Sequence, residues 1–209
     1  MATLLRIDCS ARETGSHSRS LADFAEALWR SENKTPSHVN MLDLAIEPVP
    51  HIHESTIAGF YTPEDQHTPA SRQATALSDR LIQQFTEADA LLISVPIYNF
   101  SIPSGLKAYI DQIVRAGKTF GFDAERGLFG LVKDKPVYIV SAYGAAGYAP
   151  GGQLASLDFV QPYLRSLLGF LGIANVHFFV LEGTTTEPDQ IETRKRSLKD
   201  AIATAMLAP

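Results

Sequence analysis

Hydroxyl side chains crowd the first polar segment of the chain. Ser10, Ser16 and Ser18 follow a short apolar run, His17 lies among them, and a helical pattern begins directly afterwards. Hydroxyl groups and free backbone N–H groups at a helix N-terminus bind anions, phosphate in particular. The same serines could instead serve only to cap the helix. The segment lacks the Gly-x-Gly-x-x-Gly fingerprint, so it would suit a monophosphate better than a pyrophosphate.

Two later segments have compositions that suit contact with a flat ligand. Pro96–Ser104 opens with a prolyl turn, and its backbone groups and aromatic side chains could face a planar ring. Ser141–Gly147 is rich in small residues, which let a backbone approach a ligand closely. Taken singly, each segment also fits ordinary loop packing. Together with the serine-rich segment, they would suit one flat, phosphorylated ligand.

Other candidate sites have weaker support. Gly117-Lys118-Thr119 matches the end of a P-loop, but Gln112 occupies the position of its first glycine. Cys9 adjoins a predicted buried strand, where a thiol is more often inert. His51 and His53 have no carboxylate or cysteine at metal-binding spacing. We therefore predict no metal site and assign no catalytic side chain.

Apolar segments alternate with amphipathic segments along the chain. The predicted strands are Leu4–Ile7, Val39–Leu42, Ala88–Val95, Pro136–Ser141 and Val176–Leu181, and the predicted helices are Ser18–Asn33, Ser71–Glu87, Ser104–Arg115, Ser156–Leu171 and Pro188–Leu207. Asp43–Pro69 and Gly117–Lys135 have no clear period and are predicted to be irregular. Nearly continuous apolar strands indicate a parallel sheet covered on both faces. In such sheets ligands bind outside the carboxyl ends of the strands, where the three candidate segments fall.

Composition narrows the class of protein. The 209 residues, 45% hydrophobic and 20% charged, predict one globular domain over residues 1–209. A net charge of −5 argues against a nucleic-acid partner. No apolar run approaches the roughly 18 residues of a membrane span, and the first residues lack the apolar core of a signal peptide. Because the only cysteine cannot form an internal disulfide, we expect a cytoplasmic protein without membrane association.

Four groups of residues carry a resemblance to a known family. They are Ser10 with Ser16-His17-Ser18, Pro96-Ile97-Tyr98-Asn99-Phe100, Arg115–Phe120, and Pro162–Leu164 leading to Leu168–Ile173. Over nearly its whole length the chain resembles the FMN-dependent azoreductases, also called FMN-dependent NADH:quinone oxidoreductases. The resemblance implies a flavodoxin-like fold, a three-layer α/β sandwich with a five-stranded parallel sheet and helices on both faces.

The resemblance also implies roles for the matching residues. Ser10, Ser16, His17 and Ser18 would hold the FMN phosphate, Pro96, Ile97, Tyr98, Asn99 and Phe100 would follow the isoalloxazine edge, and Ser141, Ala142, Tyr143 and Gly144 would contact its pyrimidine end. Phe122 and Phe170 would wall the substrate pocket of a homodimer with two interfacial sites. NADH or NADPH would reduce the flavin, and a quinone or azo compound would then accept two electrons at the same site, in a ping-pong sequence.

Tyr143 departs from the family pattern, which usually has Ser-x-Gly-Gly here, and we expect its side chain to add bulk beside the flavin. If any side chain donates a proton, Tyr143 or Tyr148 is the expected donor. An alternative function is a flavodoxin-like electron carrier without substrate turnover of its own. Carriers are usually smaller and more acidic, and the aromatic segment 117–131 suits a substrate pocket better. A scaffold that has lost its cofactor is a third possibility.

Overall fold

A five-stranded parallel sheet forms the centre of this computed structural model, which describes residues 2–32 and 37–207. The strands are β1 (Thr3–Asp8), β2 (His38–Asp43), β3 (Ala90–Pro96), β4 (Phe120–Asp123), β5 (Gly127–Gly130), β6 (Val137–Ala142) and β7 (Val176–Leu181). The helices are α1 (His17–Glu32), α2 (Glu54–Tyr61), α3 (Pro69–Glu87), α4 (Ser104–Ile113), α5 (Gln161–Leu171) and α6 (Pro188–Leu207), with 3₁₀ turns at Glu64–Gln66 and Ala155–Leu157. Within the described residues, none of these helices is both long enough and apolar enough to cross a membrane.

The sheet has the strand order β2-β1-β3-β6-β7, and β4 pairs with β5 in a separate antiparallel hairpin. Neighbouring residues of a strand contribute to opposite faces: Leu5 and Leu91 pack with α3, α4 and α5, whereas Leu4 and Leu92 pack with α1 and α6. This confirms the predicted three-layer α/β sandwich. The chain leaves β1 toward β2 and returns to β3 on the other side of β1. That reversal opens a crevice at the carboxyl ends of β1 and β3.

Most predicted elements are present, and three predictions need correction. β7 and α6 have the predicted bounds, while Asn33, the predicted end of α1, lies outside the described residues. Asp43–Pro69 was predicted to be irregular, but it contains α2. A Cβ at Gly59 would lie 2.5 Å from a side-chain carbon of Thr75, so glycine permits α2 to pack closely on α3. The ring of His67 is within 3.1 Å of the Gly59 carbonyl. These tertiary contacts, rather than a hydrophobic period, define α2.

The second correction is the β4–β5 hairpin, within a segment predicted to be irregular. Asp123 organises its turn by accepting the Glu125 and Arg126 amides, and Gly127 takes the positive φ that closes it. The third correction is the start of α5, predicted at Ser156 but found at Gln161. The Asp158 carboxylate accepts the Gln161 amide at 3.1 Å and so stabilises the helix start there.

Candidate functional site

Four loops meet in one cleft of about 220 Å³ at the carboxyl edge of the sheet. They follow β1, β3, β6 and β7, as expected for a ligand site at the point where strand order reverses. The lining residues are Ser10, Arg12, Gly15, Ser16, His17, Ser18, Pro96, Ile97, Tyr98, Ala142, Gly144, Thr184 and Thr185. The structure thus brings together the three segments that the sequence singled out and adds a fourth.

The first loop places three serines beside the start of α1. Ser10 and Ser18 are almost completely buried, and the hydroxyl oxygens of Ser16 and Ser18 lie 3.3 Å apart. The Ser16 hydroxyl also accepts the Arg19 amide at a long 3.4 Å, so it caps the helix while lining the cleft. The two interpretations of these serines are therefore compatible. The first N–H groups of α1 lack intrahelical partners, as at any helix start, which favours an anion here.

The second loop is a tight hairpin from Tyr98 to Ser101, closed by backbone hydrogen bonds of 2.9 and 3.1 Å. Asn99 and Phe100 both have positive φ (49° and 71°), the pattern of a type I′ turn, whose second position favours glycine. Pro96, Ile97 and Tyr98 line the cleft, whereas Asn99 and Phe100 do not. The Tyr98 hydroxyl accepts the Ala11 amide at 3.2 Å, which fastens this loop to the first one.

The third loop gives the cleft its small side chains. Ala142 and Gly144 line it, but Ser141 and Tyr143 lie beneath the surface. The prediction that Tyr143 adds bulk to the cleft is wrong: its side chain is fully buried and its hydroxyl donates to Asp158 at 3.1 Å. The Tyr148 ring packs edge-on against Tyr143 at 4.9 Å. Burial and the Asp158 carboxylate raise the pKa of Tyr143, so its proton stays on the hydroxyl.

The fourth loop was missed by the sequence reasoning. Thr184 and Thr185 follow β7 and line the cleft, with the Thr185 hydroxyl donating to the Gly144 carbonyl at 3.0 Å. The Thr184 amide donates to the Tyr143 carbonyl, also at 3.0 Å. A run of three threonines, two residues after a predicted strand, was the available signal, since hydroxyl residues after a strand also identified the first loop.

Arg12, also missed, brings a positive charge to the edge of the cleft. Partial burial and nearby Lys195 lower the pKa of His17, so its ring favours the neutral form. Burial raises the pKa of the Cys9 thiol, and this keeps it protonated and unreactive. Among the described residues, no group of three or more His, Cys, Asp or Glu side chains could hold a metal ion.

The two aromatic residues assigned to substrate lie outside the cleft of a single chain. Phe122 is on β4 and 72% exposed, and Phe170 packs against Phe120 with the ring centres 4.9 Å apart. Both belong to the region where the β4–β5 hairpin contacts α5. The structure therefore does not bring them together with the loop residues.

Comparison with known proteins first defines the class. A family model described as "Flavodoxin-like fold" matches residues 2–205. In the solved structures, an azoreductase from Bacillus anthracis superposes with a TM-score of 0.87 at 29% identity and covers 98% of each chain. The predicted flavodoxin-like fold is thereby confirmed.

Two curated relatives define the family more closely. The chain is 53% identical to an FMN-dependent NADH:quinone oxidoreductase of Xanthobacter autotrophicus, over 84% of each protein. It is 44% identical to a protein of the same name from Nostoc sp., over 99% of each. The chain belongs to the family of FMN-dependent NADH:quinone oxidoreductases. The predicted resemblance, and with it the prediction of an oxidoreductase enzyme, is confirmed at the level of the family.

Proposed function

We propose that this chain binds FMN in the four-loop cleft and uses it to pass two electrons from NADH to a quinone. The observation that carries the proposal is the convergence of the hydroxyl-lined start of α1, the Tyr98 hairpin and the small third loop on one cleft. Relatives that align over 84% and 99% of the chain are named for this reaction.

The residues present fit FMN. Ser10, Ser16 and Ser18, with the first amides of α1, suit a phosphate, and Arg12 supplies charge beside them. The Ser141 hydroxyl oxygen is buried and has no partner among the described residues, so a polar atom of a ligand could satisfy it. Pro96, Ile97 and Tyr98 would form one wall of the flavin site, and Ala142 and Gly144 the other. In our proposal, Asn99, Phe100 and Tyr143 contribute only backbone positions to the flavin site, which leaves the exposed Phe100 ring available to the substrate.

FMN, when bound, supplies two-electron hydride chemistry between a reduced nicotinamide and an acceptor. The balance is NADH plus quinone plus one proton, giving NAD⁺ plus hydroquinone. The chain binds and orients the reactants, and we assign the proton to solvent because the Tyr143 hydroxyl faces Asp158. NADPH is a second candidate donor. Azo compounds are second candidate acceptors, since an azoreductase superposes on the chain.

We further propose a homodimer in which the β4–β5 hairpin covers the partner subunit's cleft. Phe122 and Leu128 are paired across the hairpin and are 72% and 61% exposed. Large apolar side chains exposed side by side are typical of interaction surfaces. Phe122, and Phe170 packed against Phe120 of the same hairpin, would then wall the substrate pocket from the other subunit.

An absorbance spectrum of the purified protein tests the proposal. We expect flavin bands that bleach on anaerobic addition of NADH and return with a quinone. Bands that NADH leaves unchanged would indicate an electron carrier instead. A protein that shows no flavin bands after incubation with FMN and removal of the unbound FMN would refute FMN binding. Initial rates at several quinone concentrations should give parallel double-reciprocal lines, and intersecting lines would contradict a shared site used in turn.

A further inference from the structure

A buried arginine holds the first loop without lining the cleft. Arg19 is in the first turn of α1, and its side chain is only 11% exposed. A positive charge near a helix N-terminus is ordinarily unfavourable. Its burial at this position therefore requires strong compensating contacts.

Those contacts join three parts of the chain. The Arg19 guanidinium donates to the Ser10 carbonyl at 2.8 Å, to both carboxylate oxygens of Asp43 at the end of β2, and to Asp8 at 3.3 Å. Asp8 ends β1 and is fully buried, and it also accepts the Ser94 hydroxyl of β3 at 2.7 Å. Arg19 is thus linked directly to the ends of β1 and β2 and, through Asp8, to β3.

Arg19 also holds the other end of the loop. Its backbone amide donates to the Ser16 hydroxyl, while its side chain holds the Ser10 carbonyl. Residues 11–15 between these two points are all exposed. Ser10 and Ser16 are therefore both held by contacts of Arg19, and the exposed segment between them is fixed mainly at its ends.

We propose that Arg19 is a positioning residue that holds Ser10 and Ser16 in the geometry that binds a phosphate. It does not line the cleft. It would act by preorganising the loop, which lowers the ordering cost of binding. The flavin part of this inference rests on the proposed function: with Arg19 in place, the cleft should favour FMN over riboflavin, which has the same ring and no phosphate.

Arg19→Gln tests the inference, with Arg19→Lys as the conservative variant. Arg115→Gln is the matched control, because Arg115 is also buried and ion-paired, to Asp79 at 2.6 Å, and does not line the cleft. The dissociation constants of FMN and riboflavin are measured on the full chain by quenching of flavin fluorescence. Amide hydrogen exchange over residues 10–18, without flavin, reports the order of the loop directly.

For Arg19→Gln we expect FMN affinity to fall about tenfold, riboflavin affinity to stay near wild type, and exchange over 10–18 to accelerate. Arg19→Lys should restore part of the FMN preference, and Arg115→Gln should leave both the preference and the exchange unchanged. Equal losses for the two flavins, or unchanged exchange, would overturn the positioning role. If the wild-type chain binds no FMN but Arg19→Gln still accelerates exchange, the proposed function is refuted. The ordering of the first loop by Arg19 is then retained.

Discussion

Asp158 connects the third loop of the site to the start of α5. Its carboxylate accepts the Tyr143 hydroxyl at 3.1 Å, the amides of Val160 and Gln161, and the Gln161 side chain at 2.7 Å. The Tyr143 hydroxyl thus has a structural partner, and neither residue lines the cleft. Tyr143 departs from the family pattern at a position expected to face the flavin, but its side chain is part of the packing beneath the third loop.

Tyr143→Phe should therefore affect stability rather than catalysis. We expect an unchanged kcat for quinone reduction and a free energy of unfolding lower by about 1 kcal/mol, because one hydrogen bond to a multiply satisfied carboxylate is lost. Steady-state kinetics and denaturant unfolding measure the two effects. A kcat at least tenfold lower with normal flavin content would make Tyr143 the proton donor after all.

Ser18→Ala tests the phosphate site at the same scale. Ser18 is fully buried and lines the cleft. A lost hydrogen bond to a charged group costs about 1.5–3 kcal/mol, so FMN should bind at least about tenfold more weakly. Ser20→Ala, two residues further along α1 and outside the cleft, is the control for helix effects. Equal FMN affinities of the two variants would count against the assigned phosphate position.

At the scale of an element, the Tyr98–Ser101 hairpin has a left-handed backbone at Asn99 and Phe100, a conformation that non-glycine residues disfavour. A left-handed backbone costs a non-glycine residue about 1–2 kcal/mol, and Phe100 at a φ of 71° also leaves its ring 45% exposed. Strain of this kind persists where the surrounding structure or a function maintains it. Since the ring gains little burial within one chain, we infer that its use lies at the mouth of the cleft.

Phe100→Gly should separate the backbone strain at this position from the role of the ring in substrate binding. Glycine removes the left-handed penalty but adds freedom to the unfolded chain, so we expect the free energy of unfolding to rise by about 0.5 kcal/mol. The KM for quinone should rise, because the ring is lost from the mouth of the cleft. Phe100→Ala loses the same ring and keeps the strain, so it should raise KM without the gain in stability. A Phe100→Gly variant with unchanged KM would show that the ring has no role in binding.

Elements with a clear period could be predicted from the sequence, and elements made by tertiary contact could not. β7 and α6 were predicted at their observed bounds, because a continuous apolar run and a proline-initiated helical pattern mark them. The β4–β5 hairpin depends on Gly130, where a Cβ would lie 2.2 Å from the backbone of Leu171, a contact that no local pattern reveals. Likewise, the alternation of side chains between the two faces of the sheet ends with β6. Whether the Tyr143 side chain enters the cleft or the core could therefore not be derived from the sequence. Three of the four loops of the site could be predicted because the ends of the strands before them could be predicted.

At the scale of the whole molecule, buried ion pairs join β1, β2 and α1, so acid should weaken the fold through them. The Arg19 guanidinium holds the pKa of Asp43 below its ordinary value. The folded state therefore favours the carboxylate. Its contribution to stability is fully present above the ordinary Asp pKa, near 3.9, and is lost as pH falls through the lower folded value.

Asp43→Asn should lower the free energy of unfolding by about 1–3 kcal/mol at pH 7, because it weakens a nearly buried ion pair. The difference from wild type should narrow as pH falls below about 4, where the wild-type carboxylate also begins to take up a proton. Denaturant unfolding at a series of pH values measures this. Asp65→Asn, at an exposed position, is the control, and a difference that is independent of pH would contradict the ionic origin.

The β4–β5 hairpin should connect assembly with substrate binding. The proposed homodimer buries Phe122, whereas the loops proposed to contact FMN all belong to one chain. Phe122→Asp should therefore shift sedimentation toward the monomer and raise the KM for quinone, with FMN affinity close to wild type, because a charge is costly in an apolar interface. Glu125→Gln, at the exposed tip of the same hairpin, should change none of these. A dimeric Phe122→Asp variant with normal KM would place both the interface and the substrate elsewhere, and a monomeric variant with normal KM would separate the substrate pocket from the interface.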